Sequence, residues 1–174
     1  MIATPRRFGA YNGETGVGGL LLLFVLTQLL SGVLLGYQLP RTWAGFSGPT
    51  WALGADSSWF RPTLVYEAAM QVVRLAGIAI GLVMIVRGSS RTPAFYRAFL
   101  ATVLLLSIVD ALLIARVYAQ LHVTLSAMGA STTGLGASRY VALTGDARTA
   151  AYALIWWLYW RQSERVRRTF APAR

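Results

Sequence analysis

The sequence predicts an all-α integral membrane protein. It would be a four-transmembrane-helix bundle, N-in/C-in, with a short amphipathic C-terminal helix extension. Three observations predict this. The chain is 56% hydrophobic and 13% charged, whereas a soluble domain carries about 25% charged residues. Its apolar residues gather in four long runs. Its arginines fall unevenly on the segments between those runs.

The first run, "GVGGLLLLFVLTQLLSGVLLGYQL", covers Gly16 to Leu39, and the third, "FYRAFLATVLLLSIVDALLIARVYAQL", covers Phe95 to Leu121. Both exceed the roughly 20 residues needed to cross a hydrocarbon core. The first follows Arg6 and Arg7, as a signal peptide would. Its apolar stretch is longer than the roughly 7–15 residues of a cleaved leader and no A-x-A site follows, so a retained span is expected. The second run, Thr63 to Val86, spans if Glu67 and Arg74 are tolerated. The fourth, Gly145 to Trp160, has twelve uninterrupted apolar residues from Thr149 onward, so it must take in Arg148 and Asp146.

All sixteen basic residues are arginine, against six acids, for a net charge of +10. Ten of them lie in the N-tail, the second connection and the C-tail: Arg6, Arg7, Arg87, Arg91, Arg97, Arg161, Arg165, Arg167, Arg168 and Arg174. The opposite loops hold Arg41, Arg61 and Arg139. Arginine-rich segments stay cytoplasmic, so both termini are expected inside. The chain then divides into a tail over 1–15, one membrane domain over 16–162 and a basic tail over 163–174. Beside a span, the terminal arginines fit anionic headgroups and give no reason to expect nucleic acid.

Two outer loops follow from this topology. The first, "PRTWAGFSGPTWALGADSSWFRP", places Trp43, Trp51 and Trp59 where indole rings favour the headgroup level. The second, "HVTLSAMGASTTGLGASRYVALTG", reads as small, polar and flexible, and its glycines do not form a phosphate loop. His122 is the only histidine and there is no cysteine. That excludes thiol catalysis and disulfides and leaves no metal site or other cofactor to expect.

The informative residues are the ionisable ones inside the spans. A charge at a helix centre costs roughly 2.5–3.5 kcal/mol on insertion scales unless it is paired or hydrated. Arg74, Asp110 and Arg148 each lie thirteen residues from an inner-edge arginine, about 20 Å deep at 1.5 Å per residue. Glu67 and Arg116 lie deeper, at about 29–30 Å. Glu67, Gln71 and Arg74 share one helix face. The expectation is an intramembrane polar cluster of Glu67, Gln71, Arg74, Asp110, Arg116 and Arg148. Asp110 would pair with Arg74 or Arg148, and Glu67 with Arg116 or Arg148. Small residues at GxxxG spacing, Gly32/Gly36 and Gly77/Gly81, allow close helix approach, within the chain or between copies.

The C-terminus reads "IWWLYWRQSERVRRTF". It resembles the bacterial membrane family called domain of unknown function 2569, which ends in a pattern like IWIPYFxxSxRVxxTF. Ile155, Trp156, Tyr159, Ser163, Arg165, Val166, Thr169 and Phe170 match without a gap. The opening "GVGGLLLLF" is similar to the family's GxGGWLLL, and Tyr66–Glu67 and Arg148 also fall in place. Leu158 stands where the family has Pro, and Leu20 where it has Trp. The resemblance implies a multi-pass protein of the bacterial inner membrane with four helices and no assigned activity. The residues add their own reading. Trp156, Trp157, Tyr159 and Trp160 approach the inner interface. Val166 and Phe170, four apart, give a face that would rest in the headgroup boundary.

Two functions follow as expectations. One is a structural or accessory membrane component, working as a homo-oligomer or within a larger complex. The other is a small-solute or proton transporter or channel using the buried charges, which with four helices needs an oligomer. No Ser–His or Cys–His constellation, HExxH or paired acids at an open site suggests an enzyme.

Overall fold

A computed structural model describes residues 17–53 and 58–171, apart from the side chains of 49, 50 and 53. The expected tail over 1–15, Gly16 and Arg174 lie outside the described residues. The fold is 84% helix, with no strand among the described residues. The helices are α1 (Leu20–Ala44), α2 (Gly48–Leu53), α3 (Phe60–Val86), α4 (Thr92–Ala127), α5 (Leu135–Gln162) and α6 (Glu164–Thr169). Three of them, α1, α3 and α4, are long and apolar enough to cross a membrane. The fourth long helix, α5, has the length but carries Arg139, Asp146 and Arg148.

The connection between α4 and α5, expected as the second outer loop, is far more helical than its composition suggests. α4 has 36 residues, about 54 Å at 1.5 Å per residue. It runs through His122 to Ala127 and stops where Gly129 adopts φ 70°. The amide of Gly129 then donates to Ser126 O and that of Ala130 to Leu125 O, closing the last carbonyls as a left-handed glycine allows. α5 begins at Leu135, ten residues before the expected fourth span. Together α4 and α5 form the most extensive helix pair of the fold. Hydropathy reports partition into lipid and not helicity, so the polar continuation of both helices was read as loop.

At one end of the bundle the core is aromatic. Phe24 of α1 contacts Tyr96, Trp156 and Trp160, with ring centroids 4.8, 4.9 and 5.4 Å apart. Tyr96 stacks on Trp160 at 4.6 Å. Trp156 and Trp160 are thus buried between helices and do not face the lipid interface. α5 passes Leu158 without a break and ends at Ser163, whose extended backbone (ψ 120°) turns the chain. The Ser163 hydroxyl accepts from Val166 N at 3.4 Å and caps α6. α6 then folds back on the bundle. Val166 is 0% exposed and Phe170 packs on Trp160 at 5.8 Å. The apolar face expected in the headgroup boundary therefore completes the protein core.

The same fold-back meets the start of α1. Gly19 has φ 55°, and a Cβ there would come within 2.7 Å of Arg165 Nη1. The glycine-rich opening and the C-terminal motif, the two stretches that carry the family resemblance, thus form one joint. Three of the four GxxxG glycines pack within the chain. The ring of Phe99 fills the space over Gly77, and that of Tyr96 the space over Gly81. Gly32 faces Ile78 of α3, while Gly36 has open space around it.

Candidate functional site

Above the aromatic end, polar side chains from α1, α3 and α5 converge beside apolar ones of α4. On α1, Gln28 is 2% exposed, and a buried amide needs partners. Its Nε2 donates to Tyr152 Oη at 3.2 Å, and Thr27 Oγ1 bonds the same hydroxyl at 2.7 Å. Ser31 lies one turn further along the same face. On α3, Arg74 and Ile78 share a face, and on α5 so do Arg148, Thr149 and Tyr152. These residues, with Phe99, Leu100 and Val103 of α4, enclose a partly open cavity of about 280 Å³. Gln28, Ser31, Arg74, Arg148, Thr149 and Tyr152 supply its polar wall.

The acids lie elsewhere. Asp110 is 4% exposed and its Oδ1 has no protein donor, nor has Oδ2 of Asp146. The two carboxyls face one another within hydrogen-bonding reach. Such a contact is a hydrogen bond when one of them carries a proton. Glu67 lies in the field of both. Arg74 also acts on this pair electrostatically, but no direct ion pair joins it to either acid. Glu164 pairs with Arg167 and Arg168, at 3.9 and 3.5 Å.

The six residues of the expected cluster are therefore sorted, not paired. Arg74 and Arg148 meet at the cavity. Asp110 faces Asp146 where the sequence suggested an arginine, and Glu67 joins the acids. Gln71 Nε2 donates to Thr42 Oγ1 at 2.8 Å, tying α3 to the end of α1. Arg116 is exposed on α4. The six steps from Asp110 to Arg116 leave the two about 120° apart around the helix, so they do not share a face. Beside this group, Tyr66 Oη donates to Leu106 O at 2.6 Å and sets α3 against α4.

Sequence reasoning passed over Gln28, Tyr152 and Ser107. The signal for the first was present, since Thr27 and Gln28 interrupt an otherwise apolar run. Ser107 satisfies itself by donating to Val103 O at 2.9 Å. Arg61 of α3 sits over the Trp51 ring of α2 at 4.6 Å and donates to Trp51 O. Trp43 is exposed, and so is Trp59. Among the described residues no group of His, Cys, Asp and Glu is arranged to hold a metal ion.

A family model described as protein of unknown function (DUF2569) matches residues 14–171. No curated protein and no solved structure matches the chain.

Proposed function

Because the chain belongs to the DUF2569 family of proteins of unknown function, we propose that it is a multi-pass component of the bacterial inner membrane. It crosses four times, keeps both termini cytoplasmic and acts as an accessory, non-catalytic partner in a homo-oligomer or larger membrane complex. The observation that carries the topology is the joint between Gly19 and Arg165, which puts the start of α1 and the end of α5 on one side. The arginine distribution makes that side cytoplasmic. α5 follows α4 along most of its length, so a spanning α4 brings α5 across with it. The accessory role is supported by broad apolar faces left open on α1 and α4, such as Leu26, Leu30, Val33, Leu105 and Leu112. Anionic headgroups would meet the arginines of α6.

A reporter fused at Gly134 tests the topology: cytoplasmic activity there overturns it. Purification in mild detergent tests the role. Recovery as a monomer with no bound protein or lipid overturns the accessory reading. The cavity between Arg74 and Arg148 favours a second reading, a small-solute transporter or channel, which predicts solute flux in proteoliposomes that is lost on substituting either arginine.

A further inference from the structure

We infer that the cavity lined by Arg74 and Arg148 is a binding site for an oxyanion, a carboxylate or a phosphate group. Two cations from different helices, α3 and α5, face one cavity of about 280 Å³. Among the described residues neither guanidinium is in direct ion-pair contact with an acid. The nearest acids have turned to each other instead, with Asp110 set against Asp146. Arg74 is half-buried and Arg148 is exposed at the cavity, and an oxyanion held there would be attracted to both.

The chemistry of the wall fits this class of ligand. Guanidinium groups present planar, bidentate donors matched to carboxylate and phosphate oxygens. Thr149 and Ser31 add hydroxyls, and Gln28 and Tyr152 already hold each other in place. The volume is several times the roughly 30 Å³ of a water molecule, which admits a small oxyanion. Phe99 and Ile78 form part of the opposite wall, so an apolar remnant of the ligand would also be accommodated. The inference names a ligand class and requires neither transport nor a partner protein, so it stands or falls apart from both readings above.

The test is binding to the full chain in phosphatidylcholine nanodiscs. Inorganic phosphate and acetate are titrated in one arm, and phosphatidylglycerol is incorporated in the other. Binding is followed by calorimetry and by the shift in thermal midpoint. Saturable binding in at least one arm is expected, weakened about tenfold or more, equivalent to about 1.4 kcal/mol, by Arg148→Gln and by Arg74→Gln. Arg139→Gln, an exposed change on the same helix, should leave it intact. Arg148→Lys keeps the charge and should recover part of the affinity, which guards against a variant that merely fails to fold. Binding of phosphate or acetate identifies a free-anion site; binding of phosphatidylglycerol alone identifies a headgroup site. No saturable binding in either arm overturns the inference, as does binding that both glutamine variants leave unchanged.

Discussion

The guanidinium of Arg165 lies against the backbone of Gly19, so that the last helix of the chain closes over the entry to the first long one. A Cβ added to Gly19 would collide with that guanidinium. At φ 55° an L-residue also carries a conformational cost of about 1–2 kcal/mol. Gly19→Ala should therefore destabilise the protein by at least that much in detergent unfolding. In an Arg165→Ala background the collision disappears and only the conformational cost remains. Equal costs in the two backgrounds would show that the residues do not touch.

The hinge before α6 depends on one hydroxyl. Ser163→Ala removes the acceptor for Val166 N and should cost about 1 kcal/mol, while Ser163→Asp keeps a cap and should cost less. Phe170→Ala empties the site beside Trp160 and should cost about 3–5 kcal/mol, as large-to-small core changes do. Unfolding midpoints would check the order Phe170→Ala, then Ser163→Ala, then Ser163→Asp.

The glycines of the two GxxxG pairs should behave differently. Gly77→Ala and Gly81→Ala force Phe99 and Tyr96 out of place and should each cost about 1–3 kcal/mol. Gly36→Ala meets nothing within 4 Å, and the lower cost of alanine in a helix should leave it neutral or slightly stabilising. A large loss at Gly36 in the purified protein would reveal a second chain seated on that face.

Asp110 separates two kinds of buried acid. An acid held by an arginine leaves an unpaired charge when neutralised, at about 3–5 kcal/mol. An acid held by another carboxyl gains a donor when it becomes an amide. Asp110→Asn should therefore fold with stability within about 1 kcal/mol of the original, and Asp110→Ala should be clearly worse. A severe loss in Asp110→Asn, rescued by replacing Arg74, would restore the arginine pairing.

The spans were legible because Leu, Val and Ile runs state their own solvent. Depth was legible too, since counting from Arg87 and Arg161 places Arg74 and Arg148 at one level, and both line the cavity. Azimuth was used too little: Asp110 and Arg116 already lie about 120° apart around the helix. The partner of Asp110 depended on how α5 is rotated against α4, which no local pattern encodes. The stripe of Val166 and Phe170 was visible, but its destination was set by a gap beside Trp160, and that gap exists only once α1, α4 and α5 have assembled.

That last dependence carries a consequence for biogenesis. Gly19 and Arg165 are separated by nearly the whole described chain, and such distant contacts form late. Synthesis delivers α6 after every element it locks. Until then the aromatic rings around Phe24 lack their cover, and the bundle stays open at that end. A chain truncated before Ser163 would leave this surface uncovered, whereas α6 and Phe170 hide it. The fold-back of α6 thus closes the packing around Phe24.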